Sequence, residues 1–418
     1  MEIQLAGVSI PAFALYCFDA VWDRVMTRRR IDVAERRARL QLRQALAPAA
    51  RVATPLDAAR SVVALHGTDP AAVHLAVWAR TRRPDSRAME RALYEERTMV
   101  RMLGMRRTMF VVPLELAPVV QAACTRAIAL QQRRLLIRHL EAASVAGDAG
   151  RWLRQLEEST LRALAARGAA TAIELSRDEP RLRRQITLAA GKSYGGPANV
   201  STRVLFLLAA DGRIMRGRPR GSWISGQYRW APTDSWLKGG LPAIPVESAR
   251  VELVRRWLRC FGPGTAADVR WWTGWTMGEV RRALGDLRAV EVDLDGAAGY
   301  LLPDDLAPVR PPKPGIALLP ALDSTVMGWA ERDWYLGPHR AALFDRSGNP
   351  GPTIWWDGRV IGGWAQRPEG EIVYRVLEDV GREVAAGVEA EADRLRDFMG
   401  PVRVTPRFRT PLERQLSG

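Results

Sequence analysis

The chain has 418 residues, 47% of them hydrophobic, enough for two to four domains with cores of their own. It carries 62 basic against 46 acidic side chains, a net charge of +16, and all but three of the basic residues (Lys192, Lys238, Lys313) are arginine. No apolar run reaches the ~18 residues that span a membrane; the three cysteines are scattered with no Cys-x-x-Cys pair, which indicates neither a zinc site nor a disulfide framework and suits a cytoplasmic protein.

A GC-rich genome accounts for part of the arginine bias, but the excess of positive charge remains. Basic soluble chains of this size most often meet nucleic acid, less often an anionic membrane. Arginine suits phosphate because its planar fork donates two parallel hydrogen bonds.

Residues 1–26 match no recognisable element. GVSIPAFALYCF (7–18) is apolar, but the only charge before it is Glu2. A secretory signal needs a basic start, so the stretch reads instead as an upstream extension of the reading frame. Residues 27–47 form a basic helix. Thr54-Pro55-Leu56-Asp57 then supplies an N-cap and a proline at the first helical position, opening a helix to about His66. Asp69-Pro70 opens a second helix through Arg80. Residues 85–96 give a third, capped by Asp85 or Ser86, and 98–113 read as a β-hairpin.

The theme returns twice. Residues 170–188 and 200–232 contain helices followed by two strands joined by RGRPRGSW, and 248–287 contain helices followed by a hairpin at 289–303. A helix pair followed by a hairpin is the organisation of a winged helix-turn-helix, whose second helix enters a groove while the hairpin touches phosphates. After a proline-rich linker (304–315), strand-like runs occupy 316–322, 352–358, 359–366 and 370–379, with Asp357-Gly358 at a hairpin turn. A helix covers 383–399. The expected fold class is α+β: an N-terminal extension (1–26), three tandem winged helix-turn-helix units (27–125, 126–240, 241–306) and a small C-terminal β-barrel-like domain with a terminal helix (307–418).

LDAARSVVALHGTDPAAVHLAVWAR, RALYEERTMVRMLGMRRTMFVVP, WISGQYRW, LLPALDSTVMGW and PTIWWDGRVIGGW, taken in this order, resemble the winged-helix DNA glycosylases of the AlkZ and YcaQ type over about residues 35–415. The resemblance implies a basic channel for duplex DNA and excision of bulky or crosslinking N7-alkyl purine adducts, often as self-resistance to DNA-alkylating antibiotics. It also implies a catalytic Gln-Φ-Gln or Gln-Φ-Asp followed by Asp-Pro. Here the matching residues are His66-Gly67-Thr68 before Asp69-Pro70, so both polar positions differ.

Cutting the N-glycosidic bond of an N7-alkylguanine needs little acid help, because the base already carries positive charge. The protein must hold water and stabilise charge at C1′. A neutral His66 can accept a proton from water, Thr68 can bind water without acting as a base, and Asp69 can orient His66 or stabilise the cation. Asp69 before Pro70 is equally a helix N-cap. His74 falls on an apolar helix face and reads as structural. The candidate catalytic residues are therefore His66, Thr68 and Asp69. Gly67 leaves room for a bulky lesion, or simply stops a helix.

Arg101, Arg106 and Arg107 on the first hairpin are the leading phosphate contacts. Arg216, Arg218, Arg220 and Trp223 lie in or beside the second hairpin turn, with Arg203 on the helix before it. Lys192, Ser193 and Tyr194 read as a DNA-facing loop; Gly-Lys-Ser lacks the spacing of a nucleotide-binding loop. Most of the fifteen tryptophans read as packing. No metal or cofactor is called for, and no lysine stands near the motif to form a Schiff base. The expected partner is double-stranded DNA carrying alkyl adducts, bound by a monomer with no membrane association. The alternative is a non-catalytic DNA-binding protein, a regulator or lesion-binding shield.

Overall fold

The computed structural model describes residues 4–5, 8–9, 28–188 and 196–418. The architecture is mixed α+β, with small antiparallel sheets set among many helices. Helix Val33–Arg43 starts at Asp32, whose carboxylate accepts the Glu35 amide. It is shorter than the 27–47 expected.

The first helix–hairpin unit contains helices Pro55–Arg60, Pro70–Arg80 and Ser86–Tyr94 and strands Leu65–His66, Met99–Leu103 and Met109–Pro113. Thr54, Asp69 and Asp85 cap the three helices through their side chains. The first helix does not reach His66. It ends at Arg60, the chain turns through Val63 at φ 64°, and His66 lies on a two-residue strand paired with Phe110. A β-branched residue rarely adopts a positive φ, so the surrounding packing enforces this turn.

The third unit repeats the order. Strand Gly264–Thr265 follows helix Val246–Phe261, and the hairpin Val290–Leu294/Ala297–Leu301 follows helices Ala266–Thr273 and Met277–Asp286. In both units the short strand pairs with the hairpin's second strand. In the middle unit a single bridge, Ala170 to Trp230, takes that place. Its hairpin strands are Ile214–Pro219 and Tyr228–Pro232, so Arg216 and Arg218 stand on a strand and not in the turn expected from RGRPRGSW. Helices Arg126–Ala142 and Ala149–Arg167 are additions to the expected elements, and the second is marked by N-cap Asp148 and Gly168 at φ 69°.

In the C-terminal region, strands Ile316–Leu319, Thr353–Trp356, Arg359–Gln366 and Ile372–Val376 pair in sequence order. Asp357 (φ 48°) and Gly358 (φ 71°) form the tight turn expected. The sheet is open: among the described residues its two edge strands do not pair, so no barrel closes. Helix Gly381–Met399 and helix Pro411–Ser417 pack on it.

One large core runs through the first unit, the third unit and the C-terminal sheet, whereas the middle unit has its own. The large core is fastened by a buried ion pair. Arg80, at the end of the helix that Asp69 caps, meets Asp323 at 2.6 and 2.9 Å with both side chains fully buried. Thr325 accepts from Arg80 and donates to Gln44, carrying the network into the segment after the Val33–Arg43 helix.

Candidate nucleic-acid cleft

The His66–Pro70 stretch sits where three parts of the chain meet. The Gly67 amide donates to the Met109 carbonyl, extending the pairing of His66 with the hairpin. The His66 amide donates to Ser324 Oγ, which donates to the Ala64 carbonyl. The Gly67 carbonyl accepts from Arg101 at 2.5 Å. Asp69 accepts from the Ala71 amide with one oxygen and from the Arg407 amide, 338 residues away, with the other.

Above this stretch opens a cleft of about 530 Å³, a size suited to a small-molecule-sized group. Gly67, Thr68 and Pro70 form one wall, Tyr228 and Trp230 of the middle hairpin another, and Arg101, Arg216 and Arg407 supply cations. Ile173, 67% exposed, adds an apolar edge. The Arg101 guanidinium lies 5.0 Å from the Tyr228 ring centre, and that of Arg216 4.5 Å from Trp230. Burial, with Arg101 nearby, pushes Arg216 down to about 10. Among the described residues no carboxylate pairs with Arg101 or Arg216. Two cations repelling each other in a half-enclosed space make a site for an anion. They do not stabilise a cationic sugar.

The three motif residues behave differently. Thr68 lines the cleft, and its hydroxyl is buried with no hydrogen-bond partner among the described residues. Asp69 is buried as a cap, and its contacts do not include His66, so it does not orient that ring. The His66 ring is 5% exposed, packs edge-on against Phe110 at 5.2 Å, and does not line the cleft. Burial, then the charge of Arg106, pushes its pKa down to about 3. His74 is buried likewise, stacked on Trp223 at 4.7 Å, and also lowered to about 3.

These two histidines give a pH dependence. Unfolded, each imidazole titrates near 6.5; folded, near 3. Stability from burying the neutral rings is complete above about pH 6.5 and is lost as the pH falls below it, because only the unfolded chain takes up the protons. The expected loss is about 1.4 kcal/mol per group per pH unit. Melting temperature should fall between pH 7 and 5, and a His66→Leu/His74→Leu protein should show a flatter profile. Equal slopes would remove the histidines as the cause.

Gly67 has little room for a side chain. A Cβ there would stand 3.0 Å from Arg101 Nη1 and 3.2 Å from the Phe110 carbonyl carbon. Gly67→Ala should therefore displace Arg101 and destabilise by ~1–3 kcal/mol, readable as a lower melting temperature; an unchanged one would show that the wall yields freely.

The expected phosphate contacts divide into groups. Arg101 is not on the outer face of the first hairpin: it is buried, bridging Gly67 and Tyr228. Arg106, at φ 51° in the hairpin turn, lies 3.8 Å over Trp271 of the third unit. Arg107 is exposed, and its charge, after burial, lowers half-buried Arg203. Arg218 pairs with Glu90 and Glu95, and Arg220 with Glu174, all at 2.8 Å. Both charges are thus already answered within the protein. Trp223 is a packing wedge between His74 and Phe398, 6.5 Å from the latter, and not an outward-facing stacking platform. Lys192, Ser193 and Tyr194 lie outside the described residues. Tyr228, Trp230, Ile173 and Arg407 are missed by sequence reading. The aromatic pair in QYRW is a signal for the first two; nothing local marks Arg407 as a neighbour of residue 69.

Among the described residues no helix is long and apolar enough to cross a membrane, and no cluster of three or more His, Cys, Asp or Glu side chains could hold a metal. The chain matches the model of the DNA glycosylase AlkZ-like family over residues 59–398 and belongs to that family. Among solved structures it is similar to Streptomyces sahachiroi DNA glycosylase AlkZ, with a TM-score of 0.69 and 22% identity, covering 90% of this chain and 99% of that one. At this identity the likeness is one of fold. None of the curated protein sequences matches the chain.

Proposed function

We propose that this protein is a monofunctional DNA glycosylase that hydrolyses the N-glycosidic bond of bulky or crosslinking N7-alkyl purine adducts in duplex DNA, giving resistance to a DNA-alkylating antibiotic. The observation that carries this reading is Thr68, at a position that matches the family's catalytic motif: the residue lines the cleft, its buried hydroxyl has no hydrogen-bond partner among the described residues, and Arg101 and Arg216 beside it have no carboxylate partner there. The three helix–hairpin units are read as winged helices that present the duplex to the cleft.

In this mechanism Arg101 and Arg216 hold phosphate next to the lesion. The cationic N7-alkylguanine leaves as a neutral base, so no general acid is required. The glycosidic C1′–N9 bond breaks with its electron pair going to the cationic base, and the water held at Thr68 bonds to C1′ and gives up its proton to solvent. Asp69 keeps the Thr68–Pro70 turn in place through its two amide contacts, and its charge favours positive charge developing nearby. His66 packs under the site and takes no proton, since its ring is neutral at pH 7 and turned into the core.

A second reading, a non-catalytic lesion-binding protein acting as a monomer, is favoured by that same burial of His66 and by the loss of both glutamine-type positions. Incubation with duplex containing an N7-alkylguanine or a bulky antibiotic adduct separates the two. Accumulation of alkali-labile abasic sites supports the glycosylase. Tight binding without them, across several adducts, supports the shield.

A further inference from the structure

A second basic hollow, of about 800 Å³, opens on the C-terminal domain between the turn at 344–347 and the segment at 407–414. Its arginines are unequal. Arg409 is satisfied by Glu413 at 2.7 and 3.0 Å and by Ser417. Arg346, Arg407 and Arg414 are exposed and have no carboxylate partner among the described residues. Asp345 also lines the hollow, but its oxygens accept from the Ser347 and Asn349 amides and from Asn349 Nδ2. The hollow therefore keeps a surplus of positive charge, with the half-buried Phe408 ring at its side.

Arg407 belongs to both this hollow and the cleft above Thr68. Its own amide is held by Asp69. The two cationic spaces are thus neighbours, sharing a residue whose backbone is pinned to the motif.

We infer that Arg407, Arg346 and Arg414 form a track that binds the phosphate backbone of one duplex arm flanking the cleft. This rests on the reading of the protein as a duplex-DNA binder. The exposed guanidiniums suit phosphate rather than base edges, so the track adds affinity without sequence preference. It also fixes the direction in which the duplex leaves the cleft.

The test is binding of an undamaged fluorescein-labelled 24-base-pair duplex, followed by anisotropy over a series of KCl concentrations. An Arg346→Ala/Arg407→Ala/Arg414→Ala protein should bind about tenfold or more weakly at low salt, and its log–log salt slope should be shallower by about 0.9 for each phosphate no longer neutralised. The corresponding triple Lys protein should keep the wild-type slope. All three side chains are exposed, so thermal melting should be unchanged and will expose any misfolding. A wild-type slope in a well-folded triple Ala protein overturns the track. Excision plays no part in this assay. If the triple Ala protein loses slope as expected while the unsubstituted protein removes no base from adducted duplex, the glycosylase reading falls and the track stands; excision by the unsubstituted protein with an unaltered slope in the triple Ala protein does the reverse.

Discussion

Asp323→Ala is expected to cost ~3–5 kcal/mol, because it leaves the Arg80 guanidinium charged and fully buried with no counter-ion. The melting temperature should drop by roughly 3–6 °C. The loss would not stop at the core. Asp323 adjoins Ser324, which holds the His66 amide, so the floor of the cleft should loosen with it. Replacing both partners, as Arg80→Met with Asp323→Leu, should recover most of the stability, since burial of an unpaired charge causes most of the damage. A double variant as unstable as the single one would show that the wider network through Thr325 and Gln44, and not the pair, dominates.

Thr68→Val should reduce the single-turnover rate of N7-alkylguanine release by roughly 100-fold, in the range found when one positioned hydrogen-bonding group is removed from a hydrolytic site. Duplex affinity should barely change, because the proposed phosphate contacts are arginines and not Thr68. His66→Leu should cut close to the wild-type rate: it replaces a neutral, buried ring with an apolar group of similar size. The opposite pair of results, a silent Thr68→Val and a dead His66→Leu, would mean that the histidine swings into the cleft when DNA binds, and would return it to the catalytic role that sequence position alone assigns.

The helix–hairpin rhythm was legible because its punctuation is local. Thr54, Asp69, Asp85, Thr265 and Thr276 each cap the helix that follows them, and a cap needs only its next few residues. The site was half legible. The motif's place was readable, but the direction of His66 depends on strand pairing with Phe110, far along the chain. Charge in the sequence likewise does not say which arginines are already paired. Arg218 and Arg216 sit close together on one strand, yet the first meets Glu90 and Glu95 and the second meets no acid among the described residues. The open sheet differs from the expected barrel for a related reason: alternating strands look alike whether or not the last pairs with the first.

The Arg407 amide that closes on Asp69 ties the cleft to the order of synthesis. A ribosome releases residue 69 long before residue 407 exists. Until the distal segment emerges, the Asp69 cap lacks one of its two partners and the arginine that bridges both cationic spaces is missing. A nascent or prematurely terminated chain would thus hold the whole motif and present an unfinished site.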